Sequence, residues 1–277
     1  MSKLFDQNYL KSLCKKYGLT PSKKYGQNFL INPELIEKML ETAQIKADDT
    51  IVEIGPGFGV LTLALSEKAK KVIAFEIEKK LTPYWEEIQK THPNIEIIWG
   101  NVLKTPVFPT EPYKVVANIP YQITSNLIRT LLTSQNQPQS TTLMVQKEVA
   151  ERICAKPGDM SVLSVSVQFF AQPEIITNVP RAYFWPEPAV DSAVIKIEPN
   201  PTQLKNQTET EFFFKIVKTG FANKRKILIK NLEHLINKKN RSKLQEIFTK
   251  LGLNNKVRAQ ELSVQNWIDL ARKLSTY

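Results

Sequence analysis

Two stretches of this chain hold residue types that can do chemistry at a spacing that matters. One is Val-Glu-Ile-Gly-Pro-Gly-Phe-Gly at 52–59; the other is Asn118-Ile119-Pro120-Tyr121. Proline fixes φ and ends a strand ladder, so the second stretch reads first as a turn. Its flanking groups allow more. The Asn118 oxygen and the Ile119 carbonyl can accept the two N–H groups of an exocyclic amine, which leaves the amine lone pair facing an electrophile. The Tyr121 ring can stack on the base that carries the amine. A site of this kind acts by orientation and preorganised dipoles and needs no strong base. Turn and amine holder are both open readings of the four residues alone, and their position in the fold decides between them.

The elements that would position them follow from periodicity. Asn32-Pro33-Glu34 is a helix start, with an N-cap, a first-turn proline and an acid at the positive dipole end. Short apolar runs then alternate with helical ones: TIVEI (50–54), KVIAFE (71–76), IEIIW (95–99), KVVAN (114–118) and TTLMVQ (141–146). That alternation predicts a parallel sheet covered by helices on both faces. Beyond it, VLSVSVQFFA (162–171) and DSAVIKI (191–197) read as strands with no long helix between them, an antiparallel closure of one edge. Residues 198–208, EPNPTQLKNQT, lack apolar periodicity and mark a boundary. Helical patterns follow at 211–222, 226–236, 241–252 and 264–274, the last with Ser263 as N-cap. The expected organisation is an α/β domain over 1–199 and a basic helical domain over 200–277.

In this frame the glycine stretch closes the first strand and Glu76 closes the second, 21 residues past Gly55. Glycines there let backbone approach a ligand, and a carboxylate at that distance can accept both hydroxyls of a ribose. A charged strand end at a sheet rim is the plainer account of Glu76. Val60 stands where a dinucleotide fingerprint has its last glycine, there is no Walker lysine, and Glu53 and a net-acidic middle disfavour a pyrophosphate. A cationic nucleoside without phosphates suits these residues better, and S-adenosylmethionine is the common one. A nicotinamide oxidoreductase is disfavoured by the same glycine spacing and by the missing catalytic His or Tyr-Lys pair.

Charge adds a partner. Residues 1–30 carry a net +5, residues 31–200 a net −4 and residues 201–277 a net +10. Positive charge confined to both flanks is the footprint expected for a polyanion such as a nucleic acid, although Lys-rich solvated helix faces are common. The only cysteines are Cys14 and Cys154 and the only histidines His92 and His234, too few and too scattered for a disulfide framework, a metal site or a catalytic triad. No apolar run reaches the ~20 residues of a membrane span, and the N-terminus lacks the apolar core of a secretory signal. A cytoplasmic protein, with no membrane partner, is expected.

Taken in order, VEIGPGFG, FEIE (75–78), GNV (100–102), NIPY, LMVQKEVAERI (143–153) and FWPEPAVDSAV (184–194) resemble the ribosomal RNA adenine dimethyltransferases. KKYGQNFLIN (23–32) and FANKRKILIKNL (221–232) fit the same family, most of all its bacterial small-subunit branch. The resemblance implies a Rossmann-like class I methyltransferase sheet and S-adenosylmethionine as cofactor. It implies dimethylation of N6 on two adjacent adenines near the 3′ end of small-subunit (16S) ribosomal RNA, in an immature 30S subunit, by a monomer. It assigns Asn28 and Leu30 to close over the cofactor, Gly55 and Gly57 to lie beneath it, Glu76 to hold the ribose and Asn101 to face its adenine. Asn118, also at the cofactor, receives the target amine with Ile119, on a turn set by Pro120; Tyr121 and Phe184 sandwich the target base. Lys224, Arg225 and Lys226 contact RNA backbone. One departure stands out: Gly100–Asn101 replaces the usual Gly-Asp. Rivals are the large-subunit, antibiotic-resistance type of the same enzyme and a non-catalytic RNA-binding relative. The QKEVAERI, VDSAV and KRK–NL stretches disfavour the first, and the intact glycine, Glu76 and NIPY stretches the second.

Overall fold

A computed structural model describes residues 2–21, 27–200, 207–233, 235 and 241–275. They divide into two compact units, one of 1–150 with 173–199 and one of 151–172 with 200–277. The expected boundary at 199/200 is one of the chain's crossings between them. Residues 151–172, expected in the α/β domain, belong instead with the helices.

The first unit opens with α1 (Gln7–Lys16), whose N-cap Asp6 accepts from the Tyr9 N–H at 2.7 Å, and the two-residue strand β1 (Phe29–Leu30). In α2 (Pro33–Ala43), Asn32 caps the start, its Oδ1 accepting from the Leu35 N–H at 2.8 Å, and Pro33 fills the first turn. The alternation then follows the apolar runs: β2 (Thr50–Ile54), α3 (Val60–Ser66), β3 (Lys71–Glu76), α4 (Thr82–Thr91), β4 (Ile95–Trp99), β5 (Lys114–Asn118), α5 (Thr124–Leu132), β6 (Ser140–Gln146) and α6 (Lys147–Ile153).

Sequence order is not spatial order. The seven-stranded sheet runs β4-β3-β2-β5-β6-β9-β7, with β7 at Ala171–Val179 and β9 at Ser192–Pro199. Strands β2 to β6 are parallel, while β9 lies antiparallel on β6, as the expected edge closure requires. The chain walks outward from β2 through β3 to β4, then returns to place β5 on the other side of β2. The switch point of the sheet therefore falls between β2 and β5, where open α/β sheets bind ligands at the carboxyl ends of the strands. A second, two-stranded sheet pairs Phe29 with Trp185 and Leu30 with Phe184 of β8 (Phe184–Trp185).

One expected strand is wrong. VLSVSVQFFA folds as helix α7 (Val162–Phe170), and only Ala171 passes into β7. Ser161 and Ser164 form a reciprocal capping box that starts the helix. Val162, Val165 and Phe169 then recur at helical spacing and pack into the helical core, so tertiary burial outweighs the β preference of a valine-rich run.

The second unit continues with α8 (Gln207–Gly220), α9 (Leu228–Leu232), α10 (Arg241–Lys250) and α11 (Val264–Leu274). Phe169 stacks on Phe213 at 4.3 Å, and Trp267 and Phe248 are fully buried beside them. Ser263 caps α11 with Asn266 as its reciprocal partner. The helix expected at 226–236 is five residues long among the described residues.

Candidate nucleoside and amine site

The ends of β2, β3, β4 and β5 enclose a cleft of about 310 Å³. It is lined by every residue expected to bind cofactor: Asn28, Leu30, Gly55, Gly57, Glu76, Asn101 and Asn118. Its floor is the glycine turn between β2 and α3. Gly57 and Gly59 both have positive φ, +57° and +81°. A Cβ on Gly57 would lie 3.2 Å from the Phe29 ring, and one on Gly59 only 2.6 Å from Trp85. Side chains there are excluded twice, by backbone conformation and by crowding.

The turn is held from outside by groups that sequence reasoning passed over. The Tyr84 hydroxyl donates to the Phe58 carbonyl at 2.7 Å, and Trp85 Nε1 to the Gly57 carbonyl at 3.1 Å. Both sit on α4, which the sequence marked only as one of the helical runs between strands. Phe29, which faces Gly57, packs between Phe58 and Trp185 with ring centroids 5.1 and 6.1 Å away.

Glu76 does more than end a strand. Its Oε2 accepts from the Gly57 N–H at 3.1 Å, and its Oε1 from the N–H groups of Ile77 and Glu78, each at 2.8 Å. The carboxylate thus joins the tip of β3 to the glycine turn and still lines the cleft. Burial pushes its pKa up, and the three N–H bonds pull the other way.

Glu53, on β2 just before the turn, also lines the cleft and is only 2% exposed. Its Oε2 has no hydrogen-bond partner. Burial pushes its pKa up from 4.5 to about 8, with the Thr62 hydroxyl opposing the rise and the Glu76 charge adding a little to it. A carboxyl raised on folding favours the folded state below its unfolded value, and that contribution is lost as pH rises through the folded value. The melting temperature of the ligand-free protein is therefore expected to fall between pH 4.5 and about 8. Glu53→Gln is expected to flatten that fall, as thermal unfolding across the pH range will show; an unchanged profile in the variant would remove Glu53 as the cause.

The β5 end carries the amine-holding candidates. Asn118 is the last residue of the strand, paired with Met144 on β6. Its Nδ2 donates to the Asn28 carbonyl at 3.4 Å, so the amide is turned with Oδ1 as its remaining acceptor. A Cβ on Gly55 would meet Pro120 Cδ at 3.8 Å, which sets the NIPY turn directly against the glycine turn. Ile119 is buried, and its N–H donates to the Met144 carbonyl at 3.4 Å. The Tyr121 hydroxyl shares a 2.8 Å hydrogen bond with Ser192 Oγ, a fully buried group on β9. Burial raises the phenol's pKa, so Tyr121 is neutral and presents a ring rather than a base.

Phe184 stands apart from this set. It is 3% exposed, paired in the small sheet and packed into the core; of the amine-site candidates Asn118 and Pro120 line the cleft, while Ile119, Tyr121 and Phe184 do not. The exposed aromatic of that turn is Tyr183, at 37%. Lys224, Arg225 and Lys226 are all exposed on the turn that follows α8. Among the described residues, no group of three or more His, Cys, Asp or Glu side chains is placed to hold a metal ion, and no helix is long and apolar enough to cross a membrane. His234, Lys238 and Lys239 lie outside the described residues.

The family model for ribosomal RNA adenine dimethylases matches residues 19–275. Ribosomal RNA small subunit methyltransferase A of Bacillus mycoides (strain KBAB4) is 35% identical over 286 residues, covering 99% of this chain and 98% of the relative. The protein of the same name from Bacillus cereus (strain B4264) matches equally, at 35% identity with the same coverage. Among solved structures, a dimethyladenosine transferase from Plasmodium falciparum has a TM-score of 0.78 and 29% identity, covering 89% of this chain and 97% of that one. The 23S rRNA methyltransferase ErmE has a TM-score of 0.75 and 27% identity, covering 90% of this chain and 100% of that one. A switch-point cleft floored by a glycine turn, an acid at the neighbouring strand end and an asparagine at the next thus coincide with similarity along nearly the whole chain, and the protein belongs to the ribosomal RNA adenine dimethylase family.

Proposed function

We propose that this protein uses S-adenosylmethionine to dimethylate N6 of two adjacent adenines near the 3′ end of small-subunit ribosomal RNA. It acts as a cytoplasmic monomer on the immature 30S subunit. The observation that carries the reading is Asn118: its amide is oriented by the Asn28 carbonyl, so that Oδ1 is an acceptor at the cleft, against the glycine turn.

The cleft's donor set fits the cofactor. Glu76 offers carboxylate oxygens for a ribose, and exposed Ile77 (49%) with Val102 offers apolar flanks for a planar base. Glu53, held neutral by burial, is a group that a cationic occupant would favour as the carboxylate. When bound, S-adenosylmethionine supplies an electrophilic methyl group on a positively charged sulfur. The protein's part is to present the amine. Asn118 Oδ1 and the Ile119 carbonyl hold its two N–H protons, Pro120 fixes the turn, and the Tyr121 ring, tethered through Ser192, supports the base. Phe184, buried in the core, has no part in the sandwich.

Labelled methyl transfer to small- and large-subunit particles, with the modified nucleotides mapped, tests the reading. Label is expected on two adjacent adenines of the small-subunit RNA. Label confined to large-subunit RNA, or none at all, would overturn it; the likeness to ErmE makes the large-subunit arm a necessary control.

RNA backbone contact is assigned to Lys224, Arg225 and Lys226, three exposed cations on one turn. Replacing all three by Ala is expected to weaken RNA binding and to reduce the slope of log K against log salt by about 2. Titration at several salt concentrations measures this, and an unaltered slope would return the three to a solvated face.

A further inference from the structure

Asn101 departs from the acid usual at its position, and its surroundings say how. It follows β4 and Gly100, whose N–H donates to the Glu76 carbonyl at 2.8 Å and so ties this turn to the strand end carrying the ribose candidate. The Asn101 carbonyl accepts from the N–H groups of Lys104 and Thr105, at 2.9 and 3.2 Å, which fixes the backbone. Its side-chain Oδ1 accepts from the Leu103 N–H at 2.9 Å. A backbone N–H can only donate, so the assignment of oxygen and nitrogen in this amide is settled by that bond. The NH₂ group is then the free half of the side chain, with no acceptor among the described residues. Asn101 lines the cleft together with Ile77 and Val102, the flanks available to a planar ring.

A carboxylate in the same turn would accept the Leu103 N–H with one oxygen and offer the other as an acceptor to an adenine amine. Asparagine offers a donor there instead. The oxygen keeps one lone pair beside its Leu103 bond, but the NH₂ is the half of the amide without a partner, and opposite an amine that half would lose water without gaining a bond. Each hydrogen-bonding edge of adenine that carries the amine also carries a ring nitrogen, and that nitrogen is an acceptor.

We propose that Asn101 reads the cofactor's adenine through Nδ2 donating to a ring nitrogen, so that recognition no longer depends on the exocyclic amine. The inference rests on the cofactor reading above and names the polarity of one contact within it. It predicts that the site tolerates loss of the amine and that Asn101→Asp restores dependence on it.

The test is calorimetric titration of the full chain with S-adenosyl-L-homocysteine and with its 6-deamino analogue, which keeps the ring nitrogens. The wild type is expected to lose less than about threefold in affinity on deamination. Asn101→Asp is expected to bind the adenosyl ligand more tightly and to lose about tenfold on deamination, because its acceptor is charged. Deamination that costs the wild type as much as the Asp variant, or more, overturns the inference. Should the Asp variant fail to fold, Asn101→Ala replaces it: equal weakening of both ligands is expected, and selective loss of the adenosyl ligand overturns the inference. Binding of neither ligand by the folded wild type overturns the cofactor assignment itself, a result distinct from amine-dependent binding.

Discussion

Asn118→Ala is expected to lower methyl transfer about 10²- to 10³-fold, the usual cost of removing one preorganised polar group at a reacting centre. Cofactor affinity should change less than about threefold, because the ribose and base contacts assigned to Glu76 and Asn101 remain. The asymmetry is what makes the test informative. Asn118 is partly exposed at the end of β5, its backbone is held in the ladder to Met144, and its side chain makes one long bond, to the Asn28 carbonyl. Truncation therefore opens no core cavity, and a loss of turnover in a folded variant reports on the amine. Asn118→Asp is expected to fail as well, since a carboxylate cannot donate to Asn28 and the orientation of the acceptor is lost. Steady-state transfer to small-subunit particles, with calorimetry on S-adenosylhomocysteine beside it, measures both quantities. Near-normal turnover in the Ala variant would return NIPY to a structural turn.

Glu76→Ala has the opposite signature: cofactor binding is expected to weaken at least ~100-fold, with stability falling by about 1–3 kcal/mol. The carboxylate is 5% exposed and serves the N–H groups of Gly57, Ile77 and Glu78, so its removal strands three donors at the floor of the cleft. Glu76→Gln should fall between. Its single oxygen can still accept from Ile77 and Glu78, while its NH₂ faces the Gly57 N–H and pushes the glycine turn away. Calorimetry and thermal unfolding separate the ligand effect from the fold effect. Binding within about threefold of wild type in the Ala variant would leave Glu76 a loop anchor and nothing more.

What was legible in the sequence was local. The Asn32 and Ser263 caps, the apolar runs of β2 to β6 and the three glycines before α3 depend on neighbours within a few positions, and each has one conformation that satisfies it. The spacing from Gly55 to Glu76 was legible for the same reason, since one helix and one strand leave little freedom in where the acid falls. The misread segment, Val162–Phe170, shows the limit. A run of valines and phenylalanines suits a buried strand or a buried helix, and only the packing of Phe169 on Phe213 selects between them.

The sequence by itself determined that a glycine turn, an acid and an amide would stand at successive strand ends, and which family such a chain belongs to. Only the tertiary structure decided that β5 lies against β2, because strand order depends on which edge a returning chain pairs with. The same holds for the buried Glu53 oxygen, the clamp from Tyr84 and Trp85, the Ser192 tether on Tyr121, the retreat of Phe184 into the core and the direction of the amides of Asn118 and Asn101. Each is set by a partner distant in sequence or by a single hydrogen bond, and neither leaves a period in the chain. Those contacts decide what the amides can hold: Asn118 is left with an acceptor and Asn101 with a donor, from the same side chain in two different turns.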